Sequence, residues 1–486
     1  MPSFALSLLL FLASGFLVLP SVAADHPNIL IILVDDMGYG DPGFNNPNSR
    51  IATPHIDSLA AEGMRFIDAH APGPLCHMSR YGLLTGRFPF RTEVNRWPTQ
   101  PLIEAGQMTI ASLAKTKGYR TAMVGKWHLG FRENGYAQPL PGGPMDCGFD
   151  QFFGIRASTD IPPYFYIRND RAVQPPTDHI EANNSEGWSP IQGAFWRKGG
   201  IAPDLALKDV LPTFTDEAIQ FINQASSPPP NNQSPVTNNG AKPWLLYLAY
   251  PAPHTPWLPS PEFAGKSKVG IYGDFAMMVD HEIGRVLTAL KETKRADDTL
   301  VLFTSDNGPV WYDKDVERFV HDSSGGLRGM KGDAWEAGHR MPFLVRWPGQ
   351  VKPGTTSGRT VCFTDLLATF ADILETKLPP EAGPDSSSFL PALKGDSSAA
   401  RSPIVMQSAR NGTMMIRDGD WKLINHLGSG GFSQPNHRKP EPDGPQGQLY
   451  NLRDDLAEEH NLYLEEPETV ARLNAAMQRI IEADQK

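Results

Sequence analysis

The stretch NILIILVDDMGYGD, residues 28–41, decides the architecture. From Asn28 to Val34 it is an unbroken apolar run rich in β-branched residues, the pattern of a strand buried on both faces, and Asp35 and Asp36 follow at its C-terminal end. The same arrangement recurs. TIASLAKTKGYRTAMVGKWHLG (109–130) predicts a short helix, a stop at Gly118, a strand over Arg120–Val124, and then Lys126 and His128. KPWLLYLAYPAPHTPW (242–257) predicts a strand from Trp244 to Tyr250 leading to His254. DDTLVLFTSDNG (297–308) predicts another from Thr299 to Thr304 leading to Asp306 and Asn307. Amphipathic segments over Pro212–Ala225 and Tyr272–Thr293 fall between them. Buried strands alternating with helices predict an α/β fold, a large mainly parallel central sheet with helices on both faces.

In such sheets ligands bind beyond the carboxyl ends of the strands, so four strands ending in ionisable clusters aim them at one crevice. Each cluster alone has a plain structural reading: Asp-Asp as a helix cap, Asp-Asn-Gly as a turn, a lone histidine as a satisfied polar group. Their convergence is what points to chemistry. Asp35, Asp36, Asp306 and Asn307 offer only hard oxygen donors, which suit Ca²⁺, with Mg²⁺ as the alternative. Zinc would want histidine or cysteine ligands, and the histidines here accompany lysines. Arg80, Lys126, His128, His254 and Lys331 form a cationic set, and a metal beside several cations suits a tetrahedral oxyanion, sulfate or phosphate.

Composition bounds the partners. The 486 residues carry 40% apolar and 20% charged side chains, ordinary for a globular protein of about two domains, with 45 prolines and 44 glycines for ordered loops. A formal charge of −10 argues against nucleic acid or an anionic membrane as main partner. Residues 1–24 read as a signal peptide with cleavage after Ala23 or Ala24, so a secreted, periplasmic or lysosomal-type location is expected. Gly15 and Pro20 interrupt the run and no basic residue flanks it, which argues against a stable membrane span. Cys76, Cys147 and Cys362 allow at most one disulfide; whether Cys147 pairs with Cys362 is left open.

Five segments together resemble a type I sulfatase, arylsulfatase A-like, of the alkaline phosphatase superfamily: the Asp-Asp strand, CHMSRYGLLTGR (76–87), GKWHLG (125–130), PAPHTP (251–256), and SDNG (305–308) with LRGMKGDAWEAGHRMP (327–342). The resemblance implies that Cys76, set between Pro74 and Arg80, is oxidised to formylglycine by a maturation enzyme, and that its hydrate attacks sulfur. It implies that Asp35, Asp36, Asp306 and Asn307 hold the metal with the modified residue 76. Arg80, Lys126 and His128 would orient the hydrated aldehyde, and Lys331 and His254 would contact the sulfate, with His254 as the acid for the leaving oxygen. Ser79 falls where the family has a residue bonding within the turn. One departure stands out: the modification signal carries proline or alanine two residues after the cysteine, and this chain has Met78.

The reading assigns residues 25–390 to the catalytic domain and 391–486 to a smaller C-terminal α+β domain, with the seam over Ser386–Ser402. GTMMIRDGDWKLI (412–424) predicts a hairpin turning at Asp418-Gly419, QLYNLRDDLAEEHNLY (448–463) a third strand, and Glu468–Ala483 a closing helix. Segments 226–243 and 428–448 read as loops. Asn183 and Asn411 begin Asn-x-Ser/Thr sequons. Aromatic residues in DIPPYFYIRND (160–170) and Trp188, Trp196 and Trp257 fit either sugar stacking or packing. The expected activity is hydrolysis of a sulfate ester, with a sulfated sugar as substrate; a phosphate or phosphonate ester hydrolase and an unmodified anion- or carbohydrate-binding protein are the alternatives.

Overall fold

Asn28–Asp35 occupies the middle of a ten-stranded sheet, with Thr299–Ser305 parallel on one side and Trp244–Pro253 parallel on the other. Arg120–Lys126 and Gln151–Ile155 continue the parallel run outward from Trp244–Pro253. Every residue of Asn28–Asp35, Trp244–Pro253 and Thr299–Ser305 is buried, which is why these stretches are apolar without alternation. Each Ile, Leu or Val sealed there stabilises the fold by roughly 1.5–3 kcal/mol. Beyond Thr299–Ser305 the sheet turns antiparallel at Phe343–Arg346 and Met64–Phe66 and ends at Thr355–Ser357; the opposite edge closes with Ile167–Arg168 and Arg171–Ala172. Helices Val210–Ser226, Gly270–Glu292 and Pro54–Glu62 form one layer, and Cys76–Thr85, Ile110–Thr116 and Leu366–Ile373 the other.

The expected strands are present and slightly longer than read. Arg120–Lys126 takes in Lys126, and Trp244–Pro253 runs through a bulge where Asn28–Asp35 shifts register between Leu33 and Asp35. Gly125 makes the first of these possible: its φ is 118°, and a Cβ there would lie 2.0 Å from the Ala249 carbonyl oxygen.

The computed structural model describes residues 26–227, 242–396, 398, 400–409 and 412–483. The leader, most of loop 226–243 and the Asn411 sequon lie outside the described residues. Among the described residues no helix is long and apolar enough to cross a membrane.

Ile404–Gln407, Met414–Asp418, Trp421–Ile424 and Gln448–Asn451 build a separate four-stranded antiparallel sheet, backed by helix Pro467–Glu482. The hairpin pairs Asp418 with Trp421, and Gly419 supplies φ 59° in its turn. Ile404–Gln407 is the strand the sequence reading omitted. A second apolar cluster under this sheet includes Phe88, Ala334 and Trp335, so it is shared with the large sheet's loops. All three cysteines are buried and free.

Candidate active site

Strand register brings the carboxylates of the site together. Val34 pairs with Ser305, so Asp35 and Asp306 leave adjacent strands side by side, while Asp35 pairs with Pro253, one residue before His254. Lys126 ends the next strand. Cys76 is the first residue of helix Cys76–Thr85, and Arg80 lies one turn further along it. Asp36 and His128 take positive φ, 63° and 60°, strained backbone concentrated at the mouth of the sheet.

Arg80 is fully buried and ties three elements together. Its Nη2 donates to Asp306 Oδ2 at 2.8 Å and Asp35 Oδ2 at 3.2 Å, and Nη1 to the Lys126 carbonyl at 2.8 Å. Lys126 Nζ donates to Asp35 Oδ2. Burial opposes ionisation of Asp35, but Lys126, His254, Arg80 and Lys331 outweigh it and hold the carboxyl far below its usual range. Burial and the neighbouring Asp35 push Asp306 up instead. Lys331 Nζ donates to both oxygens of Asp36, at 2.6 and 2.8 Å, and His254 Nε2 lies 3.7 Å from Asp36 Oδ2. His254 Nδ1 is 2.6 Å from the Thr255 carbonyl, which can only accept, so Nδ1 carries a proton and Nε2 faces the site.

Cys76 Sγ lies 3.5 Å from Asp35 Oδ1. Burial, Asp306 and Asp35 push this thiol far above its usual range. As a thiol it is therefore a weak nucleophile at neutral pH. Ser79 Oγ donates to the Asp306 carbonyl and to the Gly73 carbonyl at 3.3 Å, which fastens the turn before Cys76 to the Asp306 strand.

Asn307 Nδ2 donates to Asp36 Oδ1 at 2.6 Å, while its buried Oδ1 has no partner among the described residues. An orphaned amide oxygen beside Asp35, Asp36 and Asp306 is an oxygen donor set that fits a hard divalent cation. Ligand atoms of Asp35, Asp36, Cys76 and His254 all lie within 4.8 Å of one another.

The motifs left several neighbours unread. Trp97 stacks on His128 with centroids 4.3 Å apart and on His77 at 5.3 Å, and burial with Lys126 and Arg80 keeps His128 well below its usual range. Trp97 comes from a loop without periodic pattern, so no local signal marks it. Loop 330–334, which carries Lys331, is clasped from the small sheet: Asp333 Oδ1 accepts from Phe432 N and Ser433 N at 2.7 and 3.0 Å, and Ala334 N donates to the Ser429 carbonyl at 2.7 Å. Of the aromatic candidates, Tyr164, Phe165, Tyr166 and Trp257 are buried in the core, and Trp188 stacks on Phe319.

This fold and crevice define an alkaline phosphatase-like hydrolase. A family model described as Sulfatase matches residues 27–376, and the chain belongs to that family. It is 32% identical to an N-acetylgalactosamine-6-O-sulfatase of Bacteroides thetaiotaomicron over 94% of this chain and 93% of that one. It is 33% identical to arylsulfatase A of Bos taurus over 86% of this chain and 77% of that one. A solved Bacteroides thetaiotaomicron protein, described under the metabolism of multiple glycosaminoglycans, superposes with a TM-score of 0.80 at 30% identity and covers 94% of this chain and 100% of its own. The protein is a sulfatase that hydrolyses sulfate esters.

Proposed function

We propose that this sulfatase removes sulfate from an exported sulfated carbohydrate, with 6-sulfated N-acetylgalactosamine as the first substrate to try, through a formylglycine made from Cys76 by a maturation enzyme and one Ca²⁺ or Mg²⁺. The carrying observation is the charge balance of the crevice. Asp35, Asp36 and Asp306 face Arg80, Lys126 and Lys331, so three negative and three positive groups sum to zero. A bound divalent cation would leave two positive charges, which a singly charged sulfate ester and the singly charged oxygen that attacks it would together match.

Asp35, Asp36, Asp306 and Asn307 would hold the cation together with residue 76, and the cation would polarise sulfate oxygens. The hydrated aldehyde at residue 76 would supply the attacking oxygen. Arg80, Lys126 and His128 orient that oxygen, and Lys331 and His254 hold the sulfate. To protonate the leaving sugar oxygen His254 must carry its proton on Nε2, since Nδ1–H is engaged by the Thr255 carbonyl. The leader at 1–24 supports delivery out of the cytoplasm, and the boundary near residue 390 separates the catalytic part from the small sheet that clasps Lys331.

Purified protein from its own host tests this directly. N-acetylgalactosamine 6-sulfate and aryl sulfates should be hydrolysed faster than the matching phosphates, with an aldehyde at residue 76 by mass spectrometry. Faster turnover of a phosphate diester would overturn the reading. Met78 favours one second reading, a binding protein in which Cys76 stays a thiol; an unmodified, inactive protein that retains sulfated sugar would establish it.

A further inference from the structure

We propose that Asp160 and Arg197 read hydroxyls of the sugar ring that carries the sulfate, an inference that rests on the sulfated-carbohydrate reading above. Strand Gln151–Ile155 pairs Ile155 with Lys126, so the chain leaving it runs along the same crevice. His128 N donates to the Arg156 carbonyl at 3.1 Å, and Ser158 Oγ lies 3.4 Å from His128 Nδ1. Thr159 Oγ1 donates at 3.5 Å to the Thr255 carbonyl, the same oxygen that engages His254 Nδ1. Asp160 is thus the next residue beyond two that touch the loops bearing both site histidines.

Its side chain is unusual for a structural ion pair. Asp160 is 4% exposed; one carboxylate oxygen accepts from Arg197 Nη1, while Oδ1 is buried without a partner among the described residues. Buried carboxylate oxygens are normally bonded, so this orphan is an acceptor left free for a donor that the chain itself does not supply. Arg197 also donates to the Asp160 carbonyl at 3.2 Å, and its side chain is 48% exposed, so the pair reaches from beside the crevice to the surface. A carboxylate with a spare acceptor next to a guanidinium with spare donors matches a pair of neighbouring hydroxyls, one donating and one accepting. The pair is neutral in sum, which suits hydroxyls rather than a second sulfate or a uronate.

The test compares two substrates on the mature enzyme, N-acetylgalactosamine 6-sulfate and 4-nitrophenyl sulfate, for wild type, Asp160→Asn, Asp160→Ala and Arg197→Ala. The expected result is a kcat/KM loss on the sugar sulfate about 10–100-fold greater than on the aryl sulfate, carried mainly by KM. Arg197 is half exposed, so its truncation keeps the test open if the Asp160 variants do not fold. Equal losses on both substrates, or no loss on either, would overturn the inference while leaving the sulfatase reading intact. Failure of the wild type to hydrolyse either substrate would overturn the sulfated-carbohydrate reading itself, and this inference with it.

Discussion

Residue 78 shows how one side chain bears on chemistry it never touches. Met78 is the third residue of helix Cys76–Thr85, where the backbone N–H has no intrahelical acceptor, so proline there removes no helix bond and constrains only His77 before it. In a foreign host, Met78→Pro is expected to raise the aldehyde fraction at residue 76 and the sulfatase activity in parallel. Mass spectrometry of the peptide spanning Phe66 to Arg80 checks this, because the aldehyde is lighter than the thiol. Lys331 and His254 meet at Asp36, and Lys331→Ala or His254→Ala should each lower kcat about 10²–10⁴-fold for loss of a charge-stabilising or acid group. Asp306→Ala removes a carboxylate proposed to hold the cation and leaves Arg80 without its closer carboxylate partner. Elemental analysis should find one Ca²⁺ or Mg²⁺ per wild-type chain and none in the variant; stoichiometric zinc in the wild type would refute the oxygen-ligand site.

Elements place these residues through their ends. Helix Cys76–Thr85 is pinned at Ser79, the Asp-Asp strand at Arg80, and the layer opposite by a cap formed across helices. Asp280, in helix Gly270–Glu292, accepts from Ile56 N at 2.8 Å and His55 N at 3.1 Å, closing the N-terminus of helix Pro54–Glu62, which has no side-chain cap of its own. Burial, with a smaller push from Asp57, raises the Asp280 carboxyl to about 7, against the partial offset of those two N–H groups. The folded protein therefore binds a proton there that the unfolded chain has lost. Its stabilising contribution is complete below about pH 4 and declines as pH rises towards about 7, by up to about 4 kcal/mol. Asp280→Asn should flatten that part of the curve, read as Tm against pH; an unchanged slope would show that the carboxyl ionises normally.

At the scale of the molecule, the small sheet belongs to the active-site apparatus. Besides clasping loop 330–334, it sends Lys422 into a buried network, where Nζ donates to Glu336 Oε1 at 2.9 Å, lies 2.9 Å from Glu458 Oε1, and reaches His339 Nε2 at 3.1 Å. An ammonium only donates, so His339 Nε2 accepts, His339 Nδ1–H donates to His70 Nδ1 at 3.0 Å, and His70 Nε2–H donates to Asp68 at 2.9 Å. Burial holds both imidazoles below their usual range, in keeping with a neutral, directed chain. The same ammonium occupies the bonds a metal would need at Glu336 and His339, and the nitrogens of His70 are taken by His339 and Asp68. Lys422→Ala leaves buried Glu458 without a cation and Glu336 with Arg340 alone, and is expected to destabilise by about 3–5 kcal/mol in denaturant unfolding, with activity falling as loop 330–334 loosens. A stability change below about 1 kcal/mol would mean the network is incidental.

Sequence alone determined the central strands, because a strand buried on both faces must be apolar throughout and the polar residues that end it stand out against that run. It also singled out, by residue type at the strand ends and in short segments, a set that the fold brings to one crevice: Asp35, Asp36, Asp306, Asn307, Arg80, Lys126, His128, His254 and Lys331. Tertiary structure decided the rest. The antiparallel strands Met64–Phe66 and Phe343–Arg346 are too short for a periodic signal and form because they pair. Trp97 reaches His128, Asp333 braces the Lys331 loop, and Asp160 lies with Arg197, each across a separation that no local pattern spans. The state of Cys76 was likewise illegible locally: burial, together with Asp306 and Asp35 brought by other strands, suppresses its thiolate.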